Sequence, residues 1–225
     1  MKVLAFDVKS SVAHFRRPDT TATQLTYPFI PPTAAKGLVG AILGIEDFTT
    51  NDKVGIELRS NVRLVSQQLS LLHNGGSSFN RPTTIQLLVE PAYRIYYAGE
   101  QFFNELEIAL KEKQFVYTTY LGSAFAITTP VYAGTWEMSE VLDTGKTYRV
   151  RSIIPVTAIK ELIPKDGHYY QRASGFMKRY EGNRTFSQSI DFIFEQSGKK
   201  LLVKPKLNQE EYQLVEIEGD LVCLV

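Results

Sequence analysis

Over the first 133 residues the apolar positions change period in a set order. Lys2 to Lys9 alternates, with Val3, Ala5 and Val8 set against Lys2, Asp7 and Lys9, which is the two-residue period of a strand. Residues 34–43 read as a helix, with Thr33 as its N-cap and Gly44 as its terminator. Residues 54–72 and 83–97 are rich in β-branched and leucine side chains. They read as two long strands, the second interrupted near Pro91, forming a hairpin around the turn-rich loop 73–82. Residues 100–113 carry Phe103, Leu106 and Leu110 at helical spacing, and 125–132 read as a further strand.

The order strand, helix, strand, strand, helix, strand predicts an α+β protein with a ferredoxin-like domain over 1–133, an arrangement shared with RNA-recognition modules. Residues 134–225 predict a smaller, β-rich C-terminal region, with strands over 148–155, 186–194, 200–205 and 212–224 and a flexible basic loop over 165–185. Two details qualify the first helix. Prolines at 28, 31 and 32 forbid regular structure immediately before it. Gly37 and Gly40 within it cost about 1 kcal/mol each relative to alanine, so a close backbone approach or a ligand must offset them.

The net charge of +1 conceals a strong asymmetry. Residues 146–206 hold 13 Lys and Arg against 5 carboxylates, a net of +8, while 99–145 and 207–225 each carry −5. A basic segment between two acidic ones points to a polyanionic partner on one face. With 44% apolar and 22% charged residues the chain has the composition of a soluble globular protein. Its single cysteine, Cys223, rules out a disulfide framework and a cysteine-built zinc site. No apolar run approaches the roughly 20 residues that span a bilayer, and Met1–Asp7 turns acidic too soon for a signal peptide. The expectation is a cytoplasmic protein with no membrane partner.

The catalytic inventory is thin. His14, His73 and His168 lack metal-pair spacing, and residues 143–147 lack the first glycine of a phosphate loop, position 140 being Glu. The expectation is no catalytic residue, no metal and no cofactor. Three segments suit nucleic acid better. Arg16 and Arg17, followed by Thr20, sit in a proline-restricted arm, and a guanidinium can donate twice to one phosphate. Thr33, Lys36 and Gly37 open a helix, where N–H groups and the dipole attract phosphate. Arg172, Lys178 and Arg179 lie among tyrosines in 168–180, the mixture by which RNA binders stack bases and hold phosphates. Arg81, near Phe79 in the hairpin loop, completes the set. Each also has a plain reading: a solvated arginine pair, an ordinary capped helix, or a mobile basic loop with core-facing tyrosines.

These pieces in this order carry a resemblance. Phe15 to Pro18, Thr20-Thr21, Leu25 to Phe29, Pro31 to Leu38 and Gly40 to Gly44 resemble the N-terminal signature of the fifth family of CRISPR-associated proteins, in the RAMP superfamily. Tyr120 to Phe125 is similar to a later family element, and 134–225 match no motif. The resemblance implies a ferredoxin-like domain with a long β-hairpin thumb, in a non-catalytic subunit that binds the 5′ handle of crRNA in a type I Cascade complex. It implies as partners crRNA, the RAMP backbone subunits, the large Cascade subunit and target DNA. Handle binding then falls to Arg16, Arg17, Thr20, Thr33, Lys36 and Gly37, with Arg81 on the thumb. One branch of the family cuts precursor crRNA without metal, using an adjacent Lys-His pair that this chain lacks. His14, Lys36 and His168 are the groups that such an alternative has to use. A third reading is an assembly subunit that makes no RNA contact of its own.

Overall fold

The computed structural model describes residues 2–72, 80–141, 143–207 and 211–225. Its first sheet is built from β1 (Lys2–Lys9), β3 (Lys53–Leu58), β6 (Ala92–Ala98) and β7 (Val131–Glu137), in the order β3-β6-β1-β7 with every pairing antiparallel. Helix α1 (Pro32–Leu43) follows β1, and α2 (Phe103–Glu112) follows β6. Alternation on β1 sends side chains to two faces. Leu4, Phe6 and Val8 join Leu38, Val39 and Ile42 of α1 and Leu106 and Leu110 of α2 in the larger apolar cluster. Val3 and Ala5 enter a smaller cluster on the other face. Helix α2 lacks a side-chain cap of its own. Asp52, just before β3, accepts the N–H groups of Glu100, Gln101 and Phe102 at 3.1–3.3 Å and the Tyr97 hydroxyl at 2.6 Å, so it satisfies the donors leading into the helix.

The back face of this sheet is covered by the C-terminal half. A six-stranded sheet runs β11 (Ile159–Leu162), β14 (Leu201–Pro205), β9 (Tyr148–Val150), β16 (Asp220–Leu224), β15 (Gln213–Ile217) and β8 (Ser139–Glu140). Val222 and Leu224 face the smaller cluster with Val3 and Ala5, while Leu221 and Cys223 enter the larger one. Val54 and Val225 exchange both backbone hydrogen bonds at 2.9 Å, which locks the chain's last residue to the edge of the first sheet. The apolar core thus runs unbroken from the first strand to the last, and position 133 lies inside β7.

Two hairpins project from this sandwich. One consists of β4 (Leu64–Leu72) and β5 (Asn80–Val89), with the two-residue β2 (Val12–Ala13) beside β5. The other pairs β12 (Tyr170–Gly182) with β13 (Thr185–Glu195), and β10 (Ile154–Pro155) lies beside β13.

Several sequence expectations change here: the strand over 148–155 is β9 and β10 in two different sheets, and the strand over 212–224 is the β15–β16 hairpin. The strand over 54–72 is two strands, because residues 59–63 leave the first sheet to start the hairpin. Arg59 N–H bonds Ala92 C=O at 2.9 Å and Ser60 Oγ accepts the Ala92 N–H at 3.0 Å, and a continuous β-rich run does not reveal that switch. The strand over 125–132 begins only at Val131, and Phe125 and Ile127 are exposed rather than core residues. The helix opens at Pro32 with Pro31 in the cap position and no side-chain cap, so Thr33 sits inside the first turn. The flexible basic loop over 165–185 is largely the β12–β13 hairpin. Its polar sequence hides the strands because Phe176 is the one large side chain that β12 buries. Its two-residue turn, Asn183-Arg184, has positive φ at both positions (50° and 58°), the type I′ geometry that matches strand twist.

Gly55 shows how closely the two halves meet: a Cβ there would lie 2.8 Å from the Cys223 carbonyl oxygen. Gly55→Ala is therefore expected to lower stability by about 1–3 kcal/mol through overpacking. Urea unfolding checks this, and an unchanged midpoint counts against the packing described.

Candidate nucleic-acid interface

The outer face of α1 carries small residues. Ala34, Gly37 and Ala41 form the shared floor of two adjoining cavities of about 540 and 220 Å³. The two helix glycines have different reasons. A Cβ at Gly40 would meet Phe48 at 2.6 Å, so Gly40 admits a neighbouring side chain. A Cβ at Gly37 would meet nothing within 4 Å, so Gly37 leaves open space. The first turn of α1, which has no side-chain cap, contributes Thr33 and Ala34 to the lining of the larger cavity.

Tyr117 and Tyr120, each nearly half exposed, stand on one wall. The other wall is Phe48 with the tip of the β12–β13 hairpin, which contributes Arg179, Tyr180, Arg184 and Phe186. The tip is tied down by Asp47. Its carboxylate accepts from the Tyr180 hydroxyl and from the Asn183 N–H at 3.0 and 3.1 Å, and these bonds hold its pKa below the usual range. Asp47 itself adopts φ 51°, an uncommon left-handed geometry for a non-glycine residue. That carboxylate is spent on the hairpin turn rather than on Lys36. Burial pushes the Lys36 ammonium down to about 8, Lys53, Arg179 and Lys178 push the same way, and Asp52 opposes them. A groove with a small-residue floor, exposed aromatic walls and under-compensated cations suits stacked bases with an attached phosphate backbone.

The hairpin reaches α1 because of an aromatic cluster. Phe176 of β12 stacks on Tyr27 and Phe29, with ring centroids 4.3 and 4.7 Å apart, and meets Phe192 edge-on at 5.3 Å. The Tyr27 hydroxyl donates to the Gly175 carbonyl at 2.6 Å. The proline-rich segment before α1 thus grips the hairpin whose tip completes the groove.

Of the residues singled out by sequence, Thr33, Lys36, Gly37 and Arg179 come together in this groove. Arg172 and Lys178 line a neighbouring cavity of about 570 Å³, where Arg172 pairs with Asp191 at 2.7 Å. The arm stands apart and braces itself. Arg17 spends its fork on Asp19 (3.0 and 2.6 Å), Arg16 reaches the Thr20 carbonyl at 3.5 Å, and Thr20 Oγ1 donates to the Arg17 carbonyl at 3.0 Å. Arg81 lies on β5 opposite Leu71, with its side chain outside the described part of the structure; His73 and Phe79 lie outside the described residues. Arg184, Tyr117 and Phe48 are the residues that sequence reasoning missed. The one local signal that could have found Arg184 is the Gly182-Asn-Arg turn.

Among the described residues no group of His, Cys, Asp and Glu side chains could hold a metal ion, and no helix is long and apolar enough to cross a membrane. The sequence model of a family described as CRISPR-associated protein (Cas_Cas5) matches residues 3–177. No curated protein matches the chain. A CRISPR protein from Archaeoglobus fulgidus has a similar structure, at 12% identity over 99% of both chains with a TM-score of 0.58. A chain of a CRISPR RNA-guided surveillance complex is similar at 10% identity, covering 89% of this chain and 91% of that one, with a TM-score of 0.51. At such identities these likenesses speak to the fold.

Phe176→Ala empties the centre of the aromatic cluster and is expected to cost about 3–5 kcal/mol. Urea unfolding combined with limited trypsin digestion at Lys178 and Arg179 checks this. Unaltered stability and unaltered protection would show that the hairpin is held by something else.

Proposed function

The chain belongs to the CRISPR-associated Cas_Cas5 family, and from that premise we propose that it is a non-catalytic subunit of a type I CRISPR effector complex, Cascade, that holds the 5′ handle of the guide RNA in the groove over α1. The observation that carries this reading is the open floor at Gly37, flanked by Lys36, Arg179 and Arg184 and walled by exposed tyrosines. Phosphate contacts to the cations set the position of a single strand, and rings stack its bases.

The sheet order β3-β6-β1-β7, with a helix after β1 and another after β6, supports a ferredoxin-like reading of the first domain. The β4–β5 hairpin, with Leu64 and Val65 exposed, supports a thumb that packs against a RAMP backbone subunit. The large Cascade subunit and target DNA complete the proposed set of partners.

The absence of chemistry in this reading is supported by where its candidate groups sit. Metal-free RNA cleavage needs a base and an acid at one phosphodiester. His14 is buried, its Nδ1 donates to the Gln86 carbonyl at 2.8 Å, and burial lowers its pKa. His168 lines a different cavity from Lys36. The three groups do not converge on a single cavity.

The direct test is an assay in EDTA with labelled precursor crRNA, following binding and cleavage together. Handle-dependent binding without cutting is the expected result, weakened by at least about a hundredfold in Lys36→Ala/Arg179→Ala, since charge-assisted contacts contribute about 1.5–3 kcal/mol each. Metal-independent cleavage at the repeat, or affinity indifferent to the double substitution, rejects the reading. A pH series gives a second check. Folding holds Lys36 below the ordinary lysine value, so its charge, and with it affinity, is lost as pH rises through about 8. Lys36→Arg keeps its charge and is expected to flatten that decline between pH 7 and 9.

A further inference from the structure

A second basic site lies at the other end of the same hairpin. At its base, where Tyr170 pairs with Glu195, a cavity of about 560 Å³ is lined by six cations: Arg59, Arg149, Arg151, Lys165, Lys199 and Lys200. Glu57 is the one acidic lining residue. β12 has 13 residues, so tip and base are separated by up to roughly 40 Å at strand rise. The residues that build this cavity come from the ends of β3 and β9, the loop before β12, and the turn between β13 and β14.

The cations are held in place from beneath. Asp220, 2% exposed, pairs with Arg149 at 3.0 Å and Lys200 at 2.6 Å and is also bonded by Arg151. Glu57, largely buried, pairs with Arg59 at 2.9 Å and accepts the Tyr96 hydroxyl at 2.6 Å. Glu218 at the edge takes Arg151 at 3.5 Å and the Trp136 N–H at 3.1 Å. Glu195 is turned inward and accepts the N–H groups of Tyr169, Ser197 and Lys199 at 2.8–2.9 Å, which braces the turn. Lys199 Nζ then donates to the Gly167 carbonyl at 2.7 Å and ties the loop to the turn. Among the described residues no carboxylate lies within ion-pair distance of Lys165 or Lys199. The carboxylates therefore lie under or beside the cradle while the cations form its surface.

We propose that this cradle is a second nucleic-acid site, one that grips the phosphate backbone of a paired helix. The contrast with the groove over α1 decides the class of ligand. That groove exposes rings on which unpaired bases can stack, whereas the one ring lining the cradle, half-buried His168, is already stacked on Tyr170. Cations without a stacking platform read backbone charge and shape, not splayed bases. The inference does not depend on the guide-handle reading, because none of the six cradle cations lines the groove.

The test uses Lys165→Glu/Lys199→Glu, two exposed residues outside the Asp220 cluster, in the full chain. Fluorescence anisotropy is measured with DNA and RNA duplexes of about 20 base pairs across a salt series, each phosphate contact contributing about 0.9 to the log–log slope. Duplex affinity is expected to fall at least tenfold and the slope by about 2, with the thermal midpoint lowered by no more than a few degrees through loss of the Lys199–Gly167 bond. Whichever duplex binds more tightly identifies the source of the helix. Short single-stranded RNA is expected to lose little in this variant, while Lys36→Ala/Arg179→Ala does the reverse. Four results overturn the proposal: no duplex binding by the unaltered chain, duplex affinity within twofold of it in the variant, an equal loss for single strands, or polyglutamate competing as well as duplex.

Discussion

The stack of Phe176 on Tyr27 and Phe29 is the contact on which the functional half of this molecule depends. β12 buries one large side chain, Phe176, while β13 buries Ile190, Phe192 and Phe194 toward its base, and a two-stranded hairpin is marginal in water on its own. Burying one aromatic side chain contributes about 1.5–3 kcal/mol, and ring pairing adds about 0.5–1.5. With Phe192 and Phe194 of β13 packed edge-on against the same Phe29 ring, the cluster docks the hairpin and leaves the exposed side chains near its tip free to face a ligand. Its tip completes the groove over α1 and its base helps to shape the basic cradle, so one anchoring point serves both surfaces.

A second constraint is the doubly covered first sheet. Each alternate residue of β1 is buried, one set under the helices and the other under β15 and β16. This rigid block sets the angle of α1, leaves its small-residue face outward, and fixes the ends of β3 and β9 from which cradle arginines extend. The acidic residues follow the same logic. Asp47, Asp52, Glu57, Glu195 and Asp220 bond hydroxyls, backbone N–H groups or the inner edges of arginines, so they organise loops and cations without covering them. The acidic segments of the chain balance its net charge, yet the groove and the cradle both remain basic.

Much of the frame was legible from residue types. Alternation in 2–9, the proline stop before α1, the spacing of Phe103, Leu106 and Leu110, and the break at Pro91 each carry their own physical cause, and each element is present. What misled was polarity. The first strand of the hairpin, 170–182, looked like a loop because only Phe176 marks the buried side of β12. Phe125 and Ile127 looked like core because an apolar side chain does not announce whether anything covers it. Arg16 and Arg17 looked available for phosphate, but Asp19 and the Thr20 carbonyl lie within reach of their guanidinium groups.

By itself, then, the sequence determined the helices, most strands, the two glycines of α1 and the presence of a basic segment, since those rest on local periodicity, backbone freedom and composition. Only the tertiary structure decided that Lys36 and Arg179 share one groove, that Gly37 opens space while Gly40 closes on Phe48, and that six cations from four separate segments line one cavity, three of them held by Asp220. The reason is that these properties belong to pairs of residues far apart in the chain. Which ring stacks on Phe176, and which carboxylate lies under which cation, is settled by packing of the whole core and leaves no local periodic trace.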